Sequence, residues 1–220
     1  MTLPSFRNAS LRLRALTHRS YVNEHAGAGE DNERLEFLGD AVLDFVAGAF
    51  LYHHYPEMDE GGLTRLRSSL VNTDQLARFA EALDVGGSVR LGKGEEESGG
   101  RKRPSLLADA LEAVIGAYYI DSGLEAVRDF LEPLLAEAAE HVLLLERELD
   151  DKSQFQEWAQ ASLGLTPHYA MLSVSGPDHS RVYTVEVLVG ELSFGTGTGP
   201  SKQAATQSAA RAALDKVAQL

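Results

Sequence analysis

Apolar residues in the first two thirds of the chain recur at intervals of three and four positions. This period places apolar side chains along one face of an α-helix. The pattern predicts four helices, over 33–54, 63–83, 105–120 and 124–145. Glycine pairs punctuate the sequence between and around them, as expected of turns and loops. The first part of the chain is therefore expected to be an all-helical domain.

Beyond residue 150 the apolar segments become shorter and richer in β-branched and aromatic residues. The predicted elements are a helix over 153–163, strands over 169–174, 182–189 and 191–198, and a helix over 202–219. Ser153 is predicted to be the N-cap of the first of these helices. The order α-β-β-β-α suits a small sheet with both helices on one face. We expect a multidomain protein, with an all-α domain over 1–147, a linker over 148–152 and an α+β domain over 153–220.

The composition narrows the class of protein and of chemistry. Hydrophobic residues make up 44% of the chain, which is enough for a real core. The absence of cysteine excludes disulfides, zinc–thiolate sites and cysteine nucleophiles, and it fits a reducing compartment. No apolar run approaches the roughly 20 residues of a membrane span, and the start lacks the apolar core of a secretory signal. A cytoplasmic protein with no membrane partner is expected.

Three carboxylates lie on one face of the first predicted helix. Glu33, Glu36 and Asp40 are spaced at i, i+3 and i+7 beside an apolar stripe. Ionised carboxylates this close repel one another, which costs stability unless a positive charge lies between them. Mg²⁺ prefers oxygen ligands and keeps several waters, so a few carboxylates from two helices are enough to hold it.

A second acidic pair, Asp109 and Glu112, lies at i, i+3 in a helix that is otherwise almost wholly apolar. Acidic residues are rarely buried without a partner, so this pair indicates a metal site or an internal salt bridge. Arg34, Arg65 or Arg67 is the candidate partner for a salt bridge. For one carboxylate the two interpretations are equally good, but the full set favours a metal ion.

The overall charge opposes binding of a polyanion. The formal net charge is −13 and the isoelectric point is near 4.9, which repels nucleic acid at long range. The acidity is concentrated in residues 1–149, with a net charge of −11, against −2 for residues 150–220. Part of it is the carboxylate cluster, which a bound metal would partly neutralise.

Four segments of the first part resemble the ribonuclease III family, in the family's order. The most specific is Asn-Glu-Arg-Leu-Glu-Phe-Leu-Gly-Asp-Ala-Val-Leu over 32–43, and the others cover 15–24, 94–100 and 104–113. The tail from about residue 152 resembles a double-stranded-RNA-binding domain. Together the resemblance covers nearly the whole chain, in the architecture of the bacterial enzymes.

This resemblance implies roles for particular residues. The implied metal ligands are Glu36, Asp40, Asp109 and Glu112. Asp40 and Glu112 are also implied in catalysis, with Glu33 and Glu60 assisting placement of substrate or metal. Phe37 matches an aromatic residue that inserts into the partner subunit, which implies a homodimer. The helical pattern by itself is more simply satisfied by placing Phe37 in the core.

The reaction implied is hydrolysis of double-stranded RNA with Mg²⁺, with Mn²⁺ as the alternative ion, which leaves 5′-phosphates and short 3′ overhangs. DNA is not an expected substrate, and the expected uses are rRNA maturation and turnover of structured mRNA. No covalent alternative is apparent, because the sequence around His18 and the other histidines carries no nucleophile motif.

Residues at three places in the tail match the family's duplex contacts. They are Ser153, Gln156, Glu157 and Gln160 on the first helix, Pro177 and His179 in the loop after the first strand, and Ser201 and Lys202 before the last helix. The third place departs from the family's basic cluster at Gln203 and Thr206, which predicts weaker phosphate contact. Taken singly, such surface residues are usually only solvated. Phe155 and Trp158 are predicted to pack in the core.

Two other classes of function remain open at this stage. One is a non-catalytic duplex-RNA binder, which gives no reason for the full carboxylate set. The other is a helical Mg²⁺-dependent hydrolase of nucleotides or other phosphoesters, which leaves the tail unexplained.

Overall fold

The computed structural model describes residues 2–177 and 180–218, and of residues 146–150 it describes the backbone alone. Its contacts divide the chain into two units, Met1–Glu140 and His141–Leu220. The helices of the first unit are α1 (Ala9–Ala15), α2 (Arg19–Glu24), α3 (Glu33–His54), α4 (Glu60–Leu70), α5 (Thr73–Ala82), α6 (Val85–Ser88), α7 (Lys93–Glu97) and α8 (Pro104–Ser122). The helix α9 (Leu124–Leu163) contributes to both units.

The centre of the helical unit is the packing of α3 against α8. Both helices bury long apolar stripes, with Leu43 and Leu111 among the fully buried residues. Two glycines lie where the helices meet. A Cβ atom built on Gly39 would overlap the backbone carbonyl of Glu112, and one built on Gly116 would overlap the carbonyl of Leu35. The absence of side chains at these positions lets the two backbones approach closely.

Two predicted element boundaries are wrong. The helix expected over 63–83 is interrupted after Leu70, because Asn72 caps a new helix by accepting a hydrogen bond from the backbone N–H of Gln75 at 2.9 Å. The break predicted before Ser153 is absent, so Ser153 lies inside α9 and caps no helix. The segment 146–152 contains no glycine or proline, and its glutamate, arginine, leucine and lysine favour a continuous helix.

The second unit contains a three-stranded antiparallel sheet and the predicted order of elements is confirmed. The strands β1 (His168–Ser175), β2 (Val182–Val189) and β3 (Leu192–Gly199) are arranged in that order, and α10 (Lys202–Val217) follows. The fold class, an all-helical unit followed by an α-β-β-β-α unit, is as the sequence indicated.

The core of the second unit lies between the helices and one face of the sheet. Phe155 is fully buried, and Trp158 stacks on it with ring centroids 5.5 Å apart. Both residues therefore pack as the sequence predicted. Alternate positions of β3 are glycine, and a Cβ atom on Gly197 would overlap the backbone of α10 at Ala209. These glycines let α10 lie directly on the strand.

Within the part of the chain that the structure describes, every helix is too short or too polar to cross a lipid bilayer.

Candidate active site

Three carboxylates from α3 and α8 converge on one point. Glu36 lies in the first turn of α3, and Asp109 and Glu112 lie one turn apart on α8. A ligand oxygen from each of the three lies within 4.8 Å of the others. The close approach of the two helices at Gly39 and Gly116 brings the carboxylates into this range.

Burial and mutual repulsion make Glu112 unusual for a glutamate. Its removal from water raises its pKa from 4.5 to about 7, and the charges of Asp40, Asp109, Glu36 and Asp44 act in the same direction. A carboxyl group in this environment takes up a proton near neutral pH unless a cation compensates its charge.

The pKa values of the other two carboxylates, Glu36 and Asp109, are raised as well. The pKa of Glu36 is raised, first by desolvation and then by Asp109. Desolvation also raises the pKa of Asp109, while the nearby ring of His18 acts in the opposite direction. Three partly desolvated carboxylates with oxygens this close match the hard oxygen donors that Mg²⁺ and Mn²⁺ take from proteins.

The salt-bridge alternative is not supported. Among the described residues, no arginine or lysine lies within 4.0 Å of Glu36, Asp109 or Glu112, and the ion pairs of the helical unit involve other carboxylates. The nearest related pair joins Arg19 to Glu33 at 3.2 Å, and both side chains are largely exposed. The cluster therefore fits a cation from solution better than a protein cation.

The remaining predicted acidic residues differ in their placement. Asp40 is exposed one turn beyond Glu36 and lies outside the three-residue group, although its charge acts on both Glu36 and Glu112. Glu60 begins α4 and accepts a hydrogen bond from the Thr64 hydroxyl at 3.3 Å. The roles predicted for Asp40, Glu33 and Glu60 stay predictions.

A cavity of about 340 Å³ opens beside the carboxylates. It is lined by His18, Arg19, Asn32, Glu33, Glu36, Val89, Leu106, Asp109 and Ala110. The lining is mostly polar and carries both signs of charge. A phosphodiester group entering here would meet both carboxylates and nitrogen donors.

We expect the metal-free protein to lose stability as the pH rises from about 4.5 to about 7. The folded chain holds the Glu112 proton more tightly than the unfolded chain does, so this stabilisation is full below pH 4.5 and is lost as the pH rises through about 7. Thermal unfolding in EDTA across this range measures it. The decline should be smaller in Glu112→Gln, and equal declines in the two proteins would contradict the assignment.

Phe37 is not a core residue. Its side chain is 81% exposed on α3, next to the carboxylate Glu36. The placement in the core that the helical pattern suggested is therefore wrong, because Phe37 lies off the face of α3 that packs on α8. At this exposure the Phe37 side chain is accessible for contact with another protein.

The predicted RNA-binding residues of the second unit are at its surface. Ser153, Gln156, Glu157 and Gln160 are exposed along α9, and Pro177 is exposed after β1. Ser201 caps α10 by accepting a hydrogen bond from the Ala204 N–H at 3.1 Å, and Lys202 is the exposed first residue of that helix. His179 lies outside the described residues. The contacts predicted for these residues stay predictions.

Sequence reasoning missed two features of the site. The first is the pair Gly39 and Gly116, where the two helices approach closely. The presence of a glycine within each of two strongly apolar helical segments is the feature of the sequence that indicates this approach. The second is His18, which lines the cavity beside Asp109. Nothing in the spacing of His18 from the acidic residues indicated that they would lie together.

Two family profiles cover the chain. The family described as Ribonuclease-III-like matches residues 8–138, and the double-stranded RNA binding motif matches residues 152–217. The profile over 8–138 contains the carboxylate cluster, and the profile over 152–217 contains the sheet and α10.

Similar proteins agree with these profiles. Ribonuclease 3 1 of Nostoc sp. is 47% identical, over 95% of this chain and 93% of the Nostoc protein. Ribonuclease 3 of Roseiflexus sp. is 49% identical, over 96% of this chain and 90% of the Roseiflexus protein. Among solved structures, the nuclease domain of ribonuclease III from Campylobacter jejuni is 40% identical. The match covers 61% of this chain and 90% of the Campylobacter jejuni chain, with a TM-score of 0.56. Dicer from Pichia stipitis is 26% identical, and the match covers 98% of this chain and 97% of the Dicer chain, with a TM-score of 0.51.

Proposed function

Because the chain belongs to the ribonuclease III family and is therefore an endoribonuclease, we propose that it hydrolyses double-stranded RNA at the carboxylate cluster with the help of Mg²⁺. The observation that carries this proposal is the convergence of Glu36, Asp109 and Glu112 within 4.8 Å, inside the region that matches the family. The match of residues 152–217 to a double-stranded RNA binding motif supports duplex RNA as the substrate.

Glu36, Asp109 and Glu112 are the residues that would hold the ion, with Asp40 as a further ligand from α3. A bound divalent ion lowers the pKa of its water and stabilises the charge that develops on the phosphate and the departing oxygen. Mn²⁺ has a similar preference for oxygen ligands and is expected to substitute for Mg²⁺.

The chain's own groups supply the rest of the chemistry. The Glu112 carboxylate, which a bound cation would keep ionised, would hold or orient the attacking water, because a carboxylate accepts hydrogen bonds. Burial of the carboxylates strengthens their attraction for the cation, because protein screens charge less than water does. We further propose that Glu33 and Glu60 help to place substrate or metal, as their positions in the family's pattern imply.

The products we propose are duplexes with 5′-phosphates and short 3′ overhangs, made by a homodimer in which each subunit cuts one strand. The 81% exposure of Phe37 supports its place in the dimer interface. The Campylobacter jejuni structure is described for flexibility in a region involved in dimer formation, which supports the same assembly for this chain. Processing of rRNA and mRNA in the cytoplasm is the role we propose for this activity.

Duplex recognition is assigned to the surface of the second unit. We propose contacts from Ser153, Gln156, Glu157 and Gln160 on α9, from Pro177 and His179, and from Ser201 and Lys202 at the start of α10. The exposure of the described members of this set supports it. The division into domains over 1–147 and 153–220, joined at 148–152, also stays a proposal, and the double-stranded RNA binding match begins at residue 152.

The test is incubation of the purified protein with a long RNA duplex, single-stranded RNA and duplex DNA, each with Mg²⁺ or EDTA. We expect only the RNA duplex to be shortened, and only with the metal. The 5′ ends and overhangs of the products are then read by sequencing. Cleavage of single-stranded RNA at an equal rate, or cleavage that persists in EDTA, would contradict the proposal.

A further inference from the structure

The ring of His18 is held in place by hydrogen bonds to one of its two nitrogens. The backbone N–H of Ser20 donates to His18 Nδ1 at 3.2 Å, and the Ser20 hydroxyl lies 2.8 Å from the same atom. That hydroxyl accepts a hydrogen bond from the Gly92 N–H at 2.9 Å, which anchors it to the segment before α7. The backbone of His18 is also fixed, because its N–H donates to the Arg90 carbonyl at 3.1 Å.

These contacts determine which ring nitrogen carries the proton. A backbone N–H can only donate, so His18 Nδ1 must accept from Ser20 and cannot itself be protonated. The neutral ring therefore carries its proton on Nε2. The Ser20 hydroxyl, which accepts from Gly92, is free to donate its own hydrogen to Nδ1, and this reinforces the same tautomer.

The other ring nitrogen, Nε2, is available to donate a hydrogen bond to a group bound in the cavity. His18 lines this cavity together with Glu36 and Asp109. In the described residues, no group accepts a hydrogen bond from His18 Nε2. The neighbouring donors differ, because Arg19 already donates to Glu33 at 3.2 Å and Asn32 donates to the Ala15 carbonyl at 3.2 Å.

We propose that His18 is a substrate-contacting residue whose Nε2–H donates to a phosphodiester oxygen of the RNA strand lying at the carboxylate cluster. This inference rests on the proposed function and adds a residue to it. A polyanion that approaches three carboxylates needs hydrogen-bond donors beside them, and His18, which lines the same cavity, presents one that is already oriented. The Nδ1 contacts preorganise the ring, so little conformational entropy is lost on binding.

Two substitutions of His18 distinguish the role of Nδ1 from the role of Nε2. His18→Asn places an amide oxygen where Nδ1 accepts, so it keeps the contact to Ser20, but it has no atom at the position of Nε2. His18→Gln reaches the position of Nε2 with an amide N–H but loses the acceptor at Nδ1. His25→Asn is the matched control, since His25 lies just beyond the end of the same helix α2 and does not line the cavity.

The measurements are the thermal unfolding midpoint, kcat and KM on a short RNA duplex, and the equilibrium affinity for that duplex. We expect His18→Asn to unfold within about 2 °C of the wild type and to lose about 10-fold in kcat/KM, the usual size for one hydrogen bond to a charged group. His18→Gln should unfold at a lower temperature than His18→Asn yet cleave faster. His25→Asn should match the wild type in cleavage.

Wild-type cleavage by His18→Asn would overturn the inference and leave His18 as a helix cap. A loss that is restored by raising the Mg²⁺ concentration, with unchanged duplex affinity, would also overturn it, because His18 would then act through Asp109. If the wild type itself cleaves no duplex RNA, the proposed function fails. The duplex affinities of the wild type and His18→Asn then test whether His18 contacts the RNA, and equal affinities would overturn the proposed contact.

Discussion

Replacing Glu112 by glutamine is expected to lower the rate of duplex RNA cleavage by on the order of 10³-fold while duplex binding is kept. Glutamine has the same shape as glutamate but lacks the negative charge that holds a cation, and it cannot take a proton from water. Glu112 is also the carboxylate with the strongest shift, its pKa being raised to about 7.

The fold should survive this substitution. Above pH 7 the metal-free wild type holds a charge at Glu112 that burial and four neighbouring carboxylates oppose, so the neutral variant should be the more stable protein in EDTA. A higher unfolding midpoint at pH 8 together with lost cleavage would show that the loss is chemical.

The measurement is single-turnover cleavage of a labelled RNA duplex with saturating Mg²⁺, alongside binding of the same duplex. Glu137→Gln, a change of the same kind at an exposed position on α9, is the control and should cleave like the wild type. Cleavage by Glu112→Gln within about threefold of the wild type would remove Glu112 from the reaction, since single active-site groups usually contribute far more.

Replacing Gly39 by alanine is expected to destabilise the helical unit by about 2 kcal/mol or more and to weaken metal binding at least about 10-fold. The new methyl group would overlap the backbone carbonyl of Glu112, which cannot move aside as a side chain would. Alanine favours a helix over glycine by about 1 kcal/mol, and the overlap must exceed that gain. Any separation of α3 from α8 also separates Glu36 from Asp109 and Glu112.

The matched control lies on the same helix. A Cβ atom on Gly48 would have the Arg67 guanidinium as its nearest neighbour, at 4.0 Å, so Gly48→Ala should stabilise the protein by about 0.5–1 kcal/mol. Thermal unfolding and titration with Mn²⁺ compare the two variants with the wild type. Unchanged stability and metal affinity in Gly39→Ala would show that the contact between the helices does not position the carboxylates.

Local patterns in the sequence were enough to identify most elements, and their failures have local causes. The helix α3 and the strand β2 have the predicted bounds, because each is a long segment of regular period. The break between α4 and α5 was missed because the cap at Asn72 interrupts a continuous apolar pattern. The composition changes near residue 150 while the backbone continues as one helix, so composition is a poor guide to the continuity of α9.

The sequence by itself determined which residue types are available for chemistry and that they sit on helices. The spacing of Glu36 and Asp40, and of Asp109 and Glu112, follows from the helical period alone. The family could also be identified from these segments, because its motifs are local.

Only the tertiary structure decided which of these groups meet, and with what acidity. The oxygens of Glu36, Asp109 and Glu112 lie within 4.8 Å of one another because Gly39 and Gly116 let α3 and α8 approach. The same packing removes Glu112 from water and leaves Phe37 exposed. It also left Asp40 outside the group and brought His18 to the cavity. Distances between residues far apart in the chain depend on how helices pack, and the period of a single helix carries no information about that packing.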